Sequence, residues 1–206
     1  MSNPKERKKR MKRMLLPLLM GGLIFSMELQ GQNMETIQLE SPDLTRGKNV
    51  MQALSERRST REFSSRMLSM RDLSDLLWAA NGVNRPATGG RTAPSAMNRQ
   101  DVAVYVCMKE GSYRYDARQN RLVPLSAGDV RPVEAPVCLV LVADDGQTWN
   151  ALDAGIVSQN ISLFCAGVGL ATVPRATMDK EQLKKALKLG DRQTPFLNHP
   201  VGYFKE

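Results

Sequence analysis

The sequence predicts an α+β domain, on three observations. Residues 137–143, Val-Cys-Leu-Val-Leu-Val-Ala, are almost wholly apolar and rich in β-branched side chains, as in a strand covered on both faces. Leu73, Leu76, Leu77 and Ala80 recur at i, i+3, i+4 and i+7, which lines one face of a helix. Helical and strand-like segments then follow one another without the regular βαβ alternation of a parallel sheet.

Taken in order, residues 32–46 are polar, carry Pro42 and read as an extended arm before a domain at 47–206. Val50, Met51, Ala53 and Leu54 give helical spacing between Asn49 and Arg57. Ser69 to Asn81 is the clearest helix, with Ser69 and Asp72 set like a capping box and Asn81-Gly82 as its stop. Residues 83–100 form a long Gly/Pro/Thr-rich loop, a length that favours a functional loop over a connector. Residues 102–108 read as a strand, and 112–116 with 121–124 as hairpin arms over 117–120. Trp149 to Val168 is a long helix, apolar around its whole circumference from Ala151 to Ala166, so it should be buried on more than one side. Gly167 and Gly169 end it, and 170–173 is a short strand. Asp179 to Leu189 is an amphipathic helix capped by Thr177 or Asp179, and His199–Phe204 is the last strand.

Charge locates a different signal. The chain of 206 residues has 29 Lys+Arg against 21 Asp+Glu, a formal charge of +8, but seven of the basic residues fall in residues 5–13. An uncharged apolar run, 14–27, follows them, then a short polar stretch ending near Gly31 and Gln32. That order reads as a secretory signal peptide over 1–31, placing the protein in the periplasm or outside the cell; an uncleaved membrane anchor is the alternative. With 1–31 set aside, the charge falls to +3, and no Lys/Arg stripe with interleaved aromatics remains to bind nucleic acid. Three cysteines cannot form a fully paired framework, and Cys107, Cys138 and Cys165 in apolar segments read as buried free thiols. The single histidine, His199, excludes a histidine-based metal cluster and reads as structural or superficial.

Two segments carry possible chemistry. Arg57-Arg58-Ser59-Thr60-Arg61 gathers three guanidinium groups and two hydroxyls just past a helix. Such forks match phosphate oxygens, although a solvated surface run has the same composition. Pro94-Ser95-Ala96-Met97-Asn98-Arg99-Gln100 offers amides suited to a heterocycle with imide edges, or forms a plain turn. Residues 167–175 lack the third glycine of a dinucleotide fingerprint and follow a helix instead of a strand.

Together these segments resemble the FMN-dependent nitroreductase superfamily, in the short form related to thiazole/oxazole-forming dehydrogenases. The resemblance rests on Arg-Arg-Ser-Thr-Arg-Glu-Phe at 57–63, Leu-Leu-Trp-Ala-Ala-Asn-Gly at 76–82 and Arg-Thr-Ala-Pro-Ser-Ala-Met-Asn at 91–98. It continues through Tyr-Arg-Tyr-Asp at 113–116, Asp-Ala-Gly-Ile-Val-Ser-Gln-Asn at 153–160, Gly-Leu-Ala-Thr-Val-Pro at 169–174 and Pro-Val-Gly-Tyr at 200–203. It implies a mixed, mainly antiparallel sheet flanked by helices, in an intertwined homodimer with two FMN sites at the subunit interface. Arg57 and Ser59 would hold phosphate and ribityl with Arg58 beside them, and Arg61 would face the flavin N1/C2 edge. Pro94, Ser95, Ala96 and Asn98 would come from the other subunit, with Asn98 on the imide side. Pro174, Arg175 and Ala176 would line the N5 side, with the Ala176 N–H as the N5 donor, and Lys205 would be a late phosphate ligand. Ala171 and Thr177 stand where relatives often have glycine, and no side chain is implied as acid or base.

The function so implied is ping-pong hydride transfer through flavin N5, on a small-molecule substrate. Electrons would come from NAD(P)H or, outside the inner membrane, pass between the flavin and a membrane partner, a quinone or oxygen. A dimeric flavin-binding protein without turnover is the alternative.

Overall fold

The structure, a computed structural model, describes residues 34–206; the signal-peptide reading of 1–31 lies outside the described residues. In chain order the elements are β1 (Ile37–Gln38), α1 (Val50–Glu56), α2 (Met70–Asn81), β2 (Val83–Arg85), β3 (Gly90–Arg91), a 3-10 turn (Ala96–Asn98), β4 (Ala103–Cys107), β5 (Gly111–Asp116), β6 (Arg121–Ala127), β7 (Val137–Asp144), α3 (Thr148–Val168), β8 (Leu170–Thr172), α4 (Lys180–Ala186) and β9 (Gln193–Tyr203). Seven strands form one sheet in the order β1-β6-β5-β4-β7-β9-β8. Every pairing in it is antiparallel, so the α+β expectation holds and the sheet is antiparallel throughout the described residues.

The period-2 alternation of β7 divides the core. Val137, Leu139, Leu141 and Ala143 face the layer of α2 and α3, with Leu76, Leu77, Ala154, Val157 and Ile161. Cys138, Val140 and Val142 face the other side, where Leu183 and Leu187 of the α4 segment cover them. The sheet is thus buried on both faces around β7, which is why that strand carries no polar alternation.

Local signals explain the helix ends. Asn49 accepts from the Gln52 N–H while Gln52 reaches back to the Asn49 N–H, a complete capping box for α1. Ser69 caps α2 through the Asp72 N–H at 3.0 Å, but the Asp72 carboxylate takes the Ser69 hydroxyl at 2.7 Å instead of closing the box, and the Ser69 N–H goes to the Tyr203 hydroxyl. Gly169 ends α3 at φ 78°, the left-handed cap that favours glycine.

Three elements differ from expectation. The last strand starts at Gln193, six residues earlier than expected, because Pro195 and Pro200 mask it in the sequence. Pro195 sits opposite Val142, where the register shifts between Leu141 and Val142, so its missing N–H falls at an irregularity. Loop 83–100 contains the short β2–β3 hairpin and the 3-10 turn. Within the arm, residues 34–46 are fastened down: β1 pairs with β6, and Arg46 is bonded to Asp72 and, at 2.9 Å, to Asp75 of α2.

α3 is apolar enough in composition to cross a membrane, yet polar side chains share its inward face with Ala154, Val157, Ile161 and Cys165. Asn150, Asp153, Ser158 and Ser162 are buried beneath it, whereas Leu152 is 64% exposed and Ile156 36%. His199 lies fully buried in β9, opposite Leu139. The Thr172 hydroxyl donates to Pro200 O at 2.9 Å, so it accepts from His199 Nδ1 at 3.3 Å, and Nε2 then accepts from Ser158 at 2.8 Å. His199 is therefore a neutral structural histidine, and burial pushes its pKa down to about 3.

Candidate functional site

The arginine run leaves α1 at its C-cap. The Arg57 N–H closes the helix on Ala53 O at 2.9 Å, and the chain then extends, with the Thr60 N–H bonded to Thr172 O of β8 at 2.9 Å. Phe63 forms an antiparallel bridge with Phe204, and the Ser64 N–H bonds to Tyr203 O at 3.0 Å, so 60–64 runs along the chain end that follows β9. Gly202 permits this approach: a Cβ there would meet Pro136 Cδ at 2.9 Å and Phe63 Cβ at 3.2 Å.

The result is an open hollow of about 390 Å³ lined by Arg58, Ser59, Thr60, Arg61, Glu62, Phe204 and Lys205. Arg58 lies over the Phe204 ring at 5.4 Å, a cation–π contact that holds the guanidinium at the rim. Lys205 Nζ is 3.9 Å from the Glu62 carboxylate, with both side chains mostly exposed. Arg58, Ser59 and Lys205, expected on the phosphate side, therefore converge with Arg61, expected at the N1/C2 edge, while Arg57 stands outside the lining at the helix cap. Thr60, Glu62 and Phe204 were not anticipated as lining residues; Thr60 lay inside the singled-out run, and its hydroxyl was the available signal.

The expected N5-side turn is fastened to the same strand. Arg175 and Asn198 exchange both backbone bonds, at 2.9 and 2.8 Å, and the Asn198 amide donates to Arg175 O and Thr177 O at 3.2 Å each. Thr172 opposite Val201 and Arg175 opposite Asn198 share one register, so the turn lies about 10 Å along the ladder from the residue that holds Thr60. Pro174 and Ala176 are exposed and Arg175 is half-buried. Arg175 Nη1 and Asn198 Oδ1 are buried without a protein partner, a donor and an acceptor left over beside the turn.

Loop 94–98 sits elsewhere in the chain. The Ala96 N–H bonds to both carboxylate oxygens of Asp153, at 3.1 and 3.0 Å, near the start of α3. Ser95 Oγ accepts from the Gln100 N–H at 2.8 Å. Met97, Asn98 and Gln100 have φ of 53°, 53° and 52°, a strained run held by those two anchors. Pro94, Met97 and Asn98 are exposed. Below the loop, burial, reinforced by the charge of Asp153, pushes the Asp101 carboxyl up. Arg58 instead packs near Ser162 and Cys165, at the far end of α3. Nine to twelve residues of helix separate Asp153 from those two, about 14–18 Å. One chain does not bring loop 94–98 to the basic hollow.

A family model described as the Nitroreductase family matches residues 54–203, and the chain belongs to that family. Among individual proteins, it is 28% identical over 196 residues to a Methanocaldococcus jannaschii protein assigned as a nitroreductase, MJ1384, covering 82% of this chain and 97% of that one. A crystal structure of a Ralstonia eutropha protein with the same assignment superposes with a TM-score of 0.80 at 36% identity, covering 85% of this chain and 92% of the other. At the level of fold alone, an Escherichia coli microcin synthetase McbBCD complex with truncated pro-MccB17 bound contains a chain that matches with a TM-score of 0.61 at 18% identity, over 85% of this chain and 80% of that one. The protein is thus an oxidoreductase of the nitroreductase family.

Proposed function

We propose that the chain is an exported FMN-dependent oxidoreductase that works as a homodimer. The observation that carries this reading is the basic hollow, in which Arg58, Ser59, Thr60, Arg61 and Lys205 surround the Phe204 ring. A phosphate monoester with its polyol chain fits that donor set: guanidinium and ammonium groups neutralise the dianion, and hydroxyls complete its bonding. The leftover donor and acceptor of Arg175 and Asn198, about 10 Å away along β9, suit a ring with both kinds of polar edge. When bound, FMN supplies hydride acceptance and donation at N5, in two half-reactions at one site.

The chain's own residues then bind and orient. Arg58, Ser59 and Lys205 would hold phosphate and ribityl, with Arg57 behind them at the helix cap. Arg61 would supply a fixed cation to the N1/C2 edge of the ring, to stabilise negative charge there. The bridge to Asn198 fixes the 174–176 turn, where the Ala176 N–H would be the donor to N5.

The apolar side chains left exposed on α1 and α3 support the homodimer. Leu152 and Ile156 of α3, Val50, Met51 and Leu54 of α1, and Met97 are exposed apolar side chains on one chain. A second copy covering them brings its Pro94–Asn98 loop, with Asn98, to the hollow that this chain's own loop does not reach. Export rests on the basic-then-apolar order of residues 1–31. NAD(P)H serves as donor if the protein meets it; in an exported protein, a membrane donor, a quinone or oxygen takes its place.

The deciding experiment is a visible spectrum of the purified full chain with light scattering on the same sample. The expected result is flavin absorbance near ~450 nm at twice the chain's mass. A colourless protein that takes up no added FMN overturns the reading. Bound FMN that neither nicotinamides nor quinols reduce makes the protein a flavin-binding dimer without turnover.

A further inference from the structure

Two of the three cysteines face each other across the central sheet. Cys107 of β4 and Cys138 of β7 are register partners in an antiparallel pair. Partners in such a pair project to the same face, and both belong to the cluster on the α4 side, with Tyr105, Val140 and Val142. Directly opposed residues have Cβ atoms about 4.5–5.5 Å apart. A disulfide needs about 3.5–4.5 Å, with Cα atoms about 4.4–6.8 Å apart, so closure requires a Cβ movement of about 1 Å. Cys165 lies in α3, in the cluster on the opposite face, so the sheet stands between it and the other two. The fold leaves one pairing open to the three thiols.

We propose that Cys107 and Cys138 form a cross-strand disulfide when the chain folds in contact with a disulfide-donating oxidant, and that Cys165 stays reduced. The chemistry is two thiol–disulfide exchanges. The thiolate of one cysteine attacks the oxidant's disulfide, forming a mixed disulfide and releasing one thiol. The thiolate of the second then attacks the mixed disulfide, forming the Cys107–Cys138 bond and releasing the other thiol. Two S–H bonds are lost from the protein, and the oxidant is reduced to two thiols. All three thiols are fully buried in the folded chain, so the exchange belongs to the folding stage, before β4 and β7 are covered. Burial also pushes the Cys107 and Cys138 thiols up, Cys138 to about 11, which silences them toward exchange once folding is complete. The bond would close a loop holding the β5–β6 hairpin and tie the middle of the sheet together. The inference does not depend on flavin binding.

The test refolds the full chain from denaturant in a mixture of oxidised and reduced glutathione, then alkylates it under denaturing, non-reducing conditions. The expected product has lost the mass of two hydrogens, carries the alkyl label on Cys165 alone, and yields one peptide pair linked through Cys107 and Cys138. In Cys165→Ser, which leaves the pair untouched, the label disappears; in Cys138→Ser, Cys107 and Cys165 are both labelled. Three labelled cysteines after refolding, a pairing that includes Cys165, or a glutathione adduct on Cys107 or Cys138 overturns the proposal. The linked peptide pair is read on the unsubstituted chain, so a variant that folds poorly does not decide the outcome.

Discussion

Two basic regions meet at the end of β9, and they are built oppositely. Arg46 lies between Asp72 and Asp75, and Asp72 also accepts from the Ser69 hydroxyl at 2.7 Å and the Tyr203 hydroxyl at 2.5 Å. Burial alone would raise the Asp72 carboxyl; the bonds from Tyr203, Ser69 and Arg46 outweigh it and hold it below the usual carboxylate range. One residue further on, Phe204 enters the hollow, where Arg58, Arg61 and Lys205 share only Glu62 among the lining residues. The first region neutralises its cation within the fold; the second holds more cations than carboxylates, which suits the proposed anionic ligand. A count of arginines does not separate the two roles, but the ratio of carboxylates to cations within each cluster does.

The largest expected effect tests the buried side of this contrast by pH. His199 titrates near 3 in the folded chain and near 6.5 when unfolded, so the unfolded state binds the extra proton between those values. Stability is therefore full above about pH 6.5 and falls as pH drops toward 3, by up to about 4 kcal/mol. Urea unfolding at pH 7 and pH 4 measures this loss, and a flat profile would place His199 in contact with solvent.

Next comes Asp72→Ala, which strips Arg46, Tyr203 and Ser69 of a shared partner. It should cost about 3 kcal/mol in urea unfolding and leave FMN affinity unchanged. Because the Asp72 pKa is depressed, its contribution is present above about pH 4 and is lost as pH falls through the folded value. A variant that unfolds normally but loses FMN would merge the two regions into one.

Arg58→Ala and Arg61→Ala should do the reverse. Each is expected to weaken FMN binding about ten- to a hundredfold by fluorescence titration, with unfolding changed by no more than about 0.5 kcal/mol. The smallest effect belongs to Glu62→Gln, which removes the hollow's carboxylate. FMN should bind up to about threefold more tightly, since an exposed pair at this distance holds Lys205 only weakly. Weaker binding in that variant would mean that Glu62 positions Lys205 instead of competing with the ligand for it.

Legibility in the sequence followed the range of the interactions. α2 and β7 were readable because periodicity is local: Leu73, Leu76 and Leu77 define one face, and residues 137–143 have no polar side. The first half of β9 was not, because Pro195 and Pro200 speak against a strand while the bulge that admits Pro195 exists only once β7 lies beside it. The polar side chains on the buried face of α3 were hidden for a similar reason. Asp153 and Ser158 find their partners in Ala96 and His199, tens of residues away. At the site, Arg58, Ser59, Arg61 and Lys205 line one hollow because β8 and β9 carry both segments. Loop 94–98 does not join them within one chain, because its anchor is Asp153, near the other end of α3.

The position of β9 also has a kinetic side. It lies between β7 and β8, and its partners on β7 are 49 residues away at Asp144–Gln193 and 64 at Val137–Val201. Chains with many such distant pairings fold slowly, because loop closure must precede the contacts that reward it. Until β9 arrives, β7 has one open edge whose side chains are apolar on both faces, a template for pairing with another molecule. The strand that later supports the hollow is therefore also the strand whose delay exposes the chain to aggregation, so refolding yield should fall steeply as protein concentration rises.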